Sequence, residues 1–125
     1  MPTRNIKDAV PKLQTAWAYA EKEYRKLYPN DPQPFLTCVH RSNDEQSALY
    51  AQGRTTKGKI VTNAKAGQSK HNKLPSEAFD IGFLKLDKTL SWDMKYFRRF
   101  ADIIKTKGVT WGGTFKIVDG PHYQI

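Results

Sequence analysis

The sequence predicts an α+β fold: a small antiparallel sheet with helices packed on it. Two long stretches carry apolar residues at steps of three and four, as a half-buried helix requires. Several short apolar runs, bounded by glycine, proline and polar clusters, read as strands. At 125 residues the chain has room for one modest core, so residues 1–125 are read as a single domain.

Residues 6–28 read as the first helix, with Val10, Leu13, Trp17, Ala20, Tyr24 and Leu27 on its apolar stripe and Pro11 near its start, where proline is tolerated. "YPNDPQP" at 28–34 breaks it, and "FLTCV" at 35–39 reads as a buried strand. Residues 42–53 carry a helix-start signature: Ser42 with Glu45 three positions on is a capping box, and Gly53 is the stop. Residues 54–76 are polar, basic and glycine-bearing, and are long for a loop in so small a domain. Loops of that length are usually functional or disordered.

"EAFDIGF" at 77–83 reads as a strand with Ala78 and Asp80 on one face and Phe79 and Ile81 on the other. Residues 91–108 read as a second amphipathic helix, with a stripe of Trp92, Tyr96, Phe100, Ile103 and Ile104 and a stop at Gly108. The tail "VTWGGTFKIVDGPHYQI" reads as a short strand, a Gly-Gly turn, a second strand and a terminal strand. Pairing of the Asp80 strand with the tail around His122 would join residues far apart in the chain.

Composition excludes several classes. The single cysteine, Cys38, allows no internal disulfide and no cysteine-rich zinc site, and within an apolar run it reads as a buried thiol. No apolar stretch follows the charged N-terminus, so no secretory signal is expected, and no run is long enough for a membrane span. The net charge of +9 draws the protein to polyanions: nucleic acid, anionic cell-wall polymers or membrane surfaces. Charge does not choose among them. A basic nucleic-acid-binding domain stays open as a rival, using tyrosine and tryptophan stacking and the lysine loop, although no nucleic-acid motif supports it.

The chemistry-bearing residues are His40, His71, His122, Asp80 and Asp119. A catalytic zinc takes three protein ligands from His, Asp or Glu, an open position for water, and a nearby base. His71, Asp80 and His122 suit the first role and Asp119 the last. On spacing alone the signal is weak, and the ordinary reading of each as a surface or hydrogen-bonded polar residue is favoured. His40 is a rival ligand whose neighbours match no ligand pattern, and Glu77 alternates to the strand face opposite Asp80.

The wording around these residues goes further. "SKHNKLPSEAFD" resembles the Ser-x-His-x-x-Gly-x-Ala-x-Asp motif of the M15 zinc peptidases, and "DGPHYQI" resembles that family's Asp-x-Pro-His segment. "HRSNDEQSALYAQGRTTKGKIVTNAKAGQS" is similar to the upstream half of its phage-endolysin branch, and "WGGTF" to its Trp-Gly-Gly-aromatic turn. The resemblance runs from about residue 35 to 125, in order.

It implies a single catalytic peptidase domain with a zinc site on the sheet. The implied zinc ligands are His71, Asp80 and His122. Asp119 would be the general base, Arg41 the stabiliser of the carbonyl oxygen, and Gln46 and Ser69 substrate-binding residues. The implied activity is hydrolysis of the L-alanyl-D-glutamate bond of peptidoglycan stem peptides by a phage-type endolysin. A D,D- or L,D-carboxypeptidase of the same family is the alternative. The protein is expected to be a monomer without an appended wall-binding module, held to anionic envelope polymers by charge. No nucleic-acid partner and no membrane insertion are expected. It would be made in the host cytoplasm and act in the periplasm or wall after holin-type release. Three departures stand out: eight residues separate His71 from Asp80 where the motif has six, Ser76 replaces the motif glycine, and His40 stands where this branch usually has an aromatic. The extra pair is expected to bulge from the turn before the strand.

Overall fold

The computed structural model describes residues 2–125. Three α-helices pack on an antiparallel sheet, an α+β arrangement. The helices are α1 (Pro11–Leu27), α2 (Asn43–Ala51) and α3 (Met94–Ile104). The strands are β1 (Gln33–Cys38), β2 (Ala78–Leu84), β3 (Leu90–Ser91), β4 (Thr110–Trp111) and β5 (His122–Gln124). Their order is β1-β2-β5-β4, with β3 paired to the end of β2. No described helix is long and apolar enough to cross a membrane.

Alternation along β2 and β5 divides core from site. Phe79, Ile81, Phe83 and Tyr123 are fully buried against α1 and α3. Phe79 stacks on Tyr123 and meets Trp17 edge-on, while the Tyr123 hydroxyl donates to the Phe97 carbonyl at 2.7 Å. Period-two geometry then sends Asp80 and His122 to the opposite face. They are direct partners in the β2–β5 ladder, as the sequence led one to expect.

Several boundaries differ from the sequence reading. The first helix starts at Pro11, after a 3₁₀ turn over Ile6–Asp8. Ala9 is extended because this segment pairs with Ser76 instead: Ser76 N donates to Asp8 O at 2.8 Å and Val10 N to Ser76 O at 3.0 Å. Strand β1 starts earlier, at Gln33, and takes Pro34 because it is an edge strand. Trp92 is not on the α3 stripe; Asp93 caps the helix after it, Trp92 is exposed, and Phe97 fills the core position. The expected second strand in the tail is absent. Gly112–Thr114 is a 3₁₀ turn, and Phe115 to Asp119 form a loop with Ile117 and Val118 exposed. Leu27 is also exposed. The capping box at Ser42, the stop at Gly108 with its left-handed φ of 77°, and the long irregular stretch 54–69 agree with the reading.

Candidate metal centre

Three segments meet at one point. Strand β2 brings Asp80, β5 brings His122, and a 3₁₀ turn over Lys70–Asn72 brings His71. Ser69 caps that turn, its hydroxyl accepting from the His71 backbone N–H at 3.2 Å. Asp80 Oδ1 lies 3.1 Å from His71 Nε2 and 3.1 Å from His122 Nδ1, and the two nitrogens are 3.2 Å apart. The three atoms form a near-equilateral triangle.

That triangle suits a cation. Bonds of about 2.0–2.1 Å in tetrahedral geometry set ligand atoms roughly 3.3 Å apart. The outer nitrogens agree. His71 Nδ1 donates to the Val39 carbonyl at 2.9 Å, and His122 Nε2 donates to Gln124 Oε1 at 2.8 Å. Each ring therefore presents its other nitrogen to the triangle, the tautomer that metal-binding histidines are given by their outer partners. Two imidazoles and a carboxylate match the donor preference of zinc.

Cys38 is a residue whose place the sequence did not foretell. The β1–β2 register slips between Leu36 and Cys38, a bulge that sets Cys38 opposite Asp80. Ligand atoms of Cys38, His71 and Asp80 all lie within 4.8 Å of one another. The sulfur is 3.6 Å from His71 Nδ1, on the side of the ring that faces Val39, and 3.5 Å from an Arg41 nitrogen. One ring nitrogen serves one ion, so the Nε2 side groups His71 with Asp80 and His122, and Cys38 lies behind the ring.

Arg41 is fixed at both ends. Its backbone N–H donates to His71 O at 2.9 Å, and its guanidinium donates to Gln46 Oε1 at 2.9 Å. A second nitrogen is 3.7 Å from Asp80 Oδ2. Gln46 is fully buried and lines no part of the cleft; its amide also donates to Ala64 O at 2.7 Å. Asp119 lines the cleft, in the segment that follows the glycine turn. Its N–H donates to Gly112 O at 2.9 Å, and the Trp111 indole N–H donates to Gly120 O at 2.6 Å. A Cβ on Gly112 would stand 2.3 Å from Asp119 O, so only glycine lets this turn lie against β5. His40 and Glu77 lie outside the cleft, Glu77 pairing with Lys73 at 3.1 Å.

The inserted pair before β2 is absorbed locally. Ser76 is fully buried, and its hydroxyl lies 2.8 Å from Val39 O and 2.7 Å from Ala78 O while accepting from Ala78 N. It thereby ties the start of β2 to the same carbonyl that orients His71.

Charge at the centre is tightly coupled. Burial opposes a proton on His71, but the Asp80 carboxylate and the Cys38 sulfur outweigh it and push the imidazole up to about 10 in the metal-free protein. Burial would raise Asp80, yet the bonds from His122 and His71 hold its carboxyl well below the usual range. Asp119 moves up, through burial and then the neighbouring Asp80 charge.

Over this floor opens a cleft of about 660 Å³. Arg41, Ser69, His71, Asp80, Asp119 and His122 all line it.

Comparisons with known proteins follow the same residues. The profile of an M15 peptidase family, described as D-alanyl-D-alanine carboxypeptidase, matches residues 62–125. That stretch contains His71, Asp80, Asp119 and His122, but not Arg41 or Gln46. The peptidoglycan L-alanyl-D-glutamate endopeptidase CwlK of Bacillus subtilis (strain 168) is 41% identical over 100 residues, which is 72% of this chain and 59% of that protein. The chain thus spans less than two thirds of that relative's length. The crystal structure of the Serratia marcescens L-Ala D-Glu endopeptidase ChiX matches with a TM-score of 0.69 over 100% of this chain and 88% of its own, at 20% identity, a likeness of fold.

Proposed function

The chain belongs to the M15 peptidase family, and on that premise we propose that residues 1–125 form one zinc-dependent peptidoglycan hydrolase domain. It cuts the L-alanyl-D-glutamate bond of stem peptides. The observation that carries the metal assignment is the triangle of His71 Nε2, Asp80 Oδ1 and His122 Nδ1, with both outer nitrogens bonded to carbonyl oxygens. The bond assignment rests on the name of the Bacillus subtilis relative.

A divalent ion held by these residues supplies Lewis-acid polarisation of a carbonyl and activation of water. The chain supplies the rest. Asp119, its carboxyl raised by burial, takes a proton from the attacking water and returns it to the leaving nitrogen. Arg41 offers a fixed cation where the carbonyl oxygen gains negative charge. Gln46 is a positioning residue: it holds the Arg41 guanidinium and ties it to Ala64 in the cleft wall. Ser69 holds the turn that carries His71.

The +9 charge adsorbs the protein to anionic envelope polymers. We place it as a phage-type endolysin, a monomer that reaches the wall after a holin-type lesion. The family profile's description favours a second reading, a carboxypeptidase on the same centre. Mass spectrometry of purified peptidoglycan after incubation tests both. New fragments ending at L-alanine and starting at D-glutamate, lost with chelator and regained with zinc, support the endopeptidase. Loss of a terminal D-alanine instead moves the activity to the carboxypeptidase. No zinc-dependent fragment defeats the proposal.

A further inference from the structure

The cleft has a polar floor and apolar lips. Ile60 and Val61, from the irregular stretch after α2, and Ile117 and Val118, from the loop after the glycine turn, line the same cleft as His71, Asp80 and His122. All four are more than half exposed, at 56%, 54%, 68% and 58%, and none belongs to the core. Single exposed apolar residues are ordinary, but four exposed aliphatic side chains lining one cleft mark binding surface. The sequence pattern at 115–118 reads as a strand, yet the structure spends its apolar residues on the rim and not on the core.

Both lips are held at their bases. On the first lip, the backbone carbonyls of Lys59, Thr62 and Ala64 accept from Gln52, Arg54 and Gln46 at 3.2, 3.0 and 2.7 Å. The Arg54 guanidinium carbon also sits over the Tyr50 ring, 3.8 Å from its centroid. On the second, Phe115 N and Asp119 N both donate to Gly112 O, at 3.1 and 2.9 Å, closing the loop on one carbonyl. Bonds at the loop bases leave the tips to present their side chains, an arrangement that lowers the ordering cost of binding.

We propose that Ile60 and Val61, with Ile117 and Val118, form an aliphatic clamp that selects the substrate. An extended peptide lies along the floor with its scissile carbonyl towards Arg41. The lips take the methyl and methylene groups on either side of that bond. The clamp favours small aliphatic groups such as the alanyl methyl and rejects polar or charged ones there. This rests on the stem-peptide reading above and adds the element that chooses among such peptides.

The test uses the zinc-loaded protein and soluble stem peptides that carry alanine or serine before the scissile bond. Wild type is expected to prefer alanine by about 10-fold in kcat/KM, less than the roughly 100-fold by which an enclosed apolar pocket rejects an added hydroxyl, because these side chains are open to water. The double variants Ile60→Ser with Val61→Ser, and Ile117→Ser with Val118→Ser, should each lower kcat/KM on the alanine peptide by about 10- to 100-fold, mostly through KM. They should also erase the preference. Zinc content and melting temperature should stay unchanged, because these side chains lie outside the core. If wild type cleaves neither peptide, the parent reading fails. If wild type cleaves and the variants stay within about twofold, with the alanine preference intact, the clamp is wrong and the parent reading stands. A wild-type dimer that the variants make monomeric, with catalysis unchanged, would overturn the clamp in favour of a self-association surface.

Discussion

Replacing Gln46 with leucine should separate catalysis from metal binding. The substitution keeps roughly the side chain's shape and removes three bonds, one from the charged Arg41 at 2.9 Å, one to Ala64 O at 2.7 Å and a long one from Asn72 Nδ2 at 3.4 Å. Bonds to charged groups contribute about 1.5–3 kcal/mol and neutral ones about 0.5–1.5, so the buried site loses roughly 2–4 kcal/mol. For a chain of this size that lowers Tm by about 10 °C. Arg41 then keeps the 3.7 Å approach to Asp80 and the 3.5 Å contact with Cys38, and its guanidinium is free to turn from the cleft. A misplaced oxyanion donor should lower kcat by about 10- to 100-fold with little change in KM. Zinc affinity should hold within about threefold, because Gln46 touches no ligand. Gln46→Glu keeps an acceptor for Arg41 and loses the donor to Ala64, so it should recover most of kcat. Thermal melts, a competitive zinc titration and initial rates on a soluble stem peptide read all three quantities. Unchanged kcat in Gln46→Leu, or equal loss of zinc, would refute the positioning role.

Asp119→Asn should keep stoichiometric zinc and lose at least about 100-fold in kcat, a general base being worth that much; loss of zinc would make Asp119 a ligand. Ser76→Ala should cost about 1–3 kcal/mol and weaken zinc binding by roughly tenfold, since the Val39 carbonyl keeps His71 but loses the hydroxyl, and denaturant melts with zinc titration check it. In the metal-free protein the His71 imidazole is raised to about 10. Its stabilising effect is therefore full below the unfolded value of about 6.5 and is lost as pH rises through the folded value. Chelated protein should weaken from about pH 6.5 to 10 while zinc affinity rises, since zinc requires the neutral ring. Melts and titrations at several pH values that showed no such opposing trend would contradict the raised His71 value and its coupling to Asp80.

Much of the fold was legible because local rules agreed with one another. The α1 stripe, the Ser42 capping box and the alternation of Phe79 and Ile81 with Asp80 are each single-segment signals, and each survives into the structure. Part of what failed was a local cap that competed with the helical spacing, and the rest depended on tertiary partners. Trp92 fits the helical spacing, but Asp93 caps the helix one residue later. Ile117 and Val118 look like a strand, yet the edge strand β4 is two residues long and leaves them nothing to pair with. The site divides similarly. His71, Asp80 and His122 were named through a motif resemblance, and the structure brings them together. Cys38 comes behind the His71 ring through a bulge, and Gln46 turns inward to meet Arg41; neither position shows in spacing. The insertion before β2 is neutralised by Ser76 bonding to segments near residues 8, 39 and 78, contacts that no local pattern encodes.

The central claim is that one divalent ion sits among three named atoms. A crystal grown with zinc and measured above and below the zinc absorption edge tests it directly. The account predicts a single strong anomalous peak about 2.0–2.2 Å from His71 Nε2, Asp80 Oδ1 and His122 Nδ1. A peak bonded to Cys38 Sγ, or no peak within reach of His122, would contradict it.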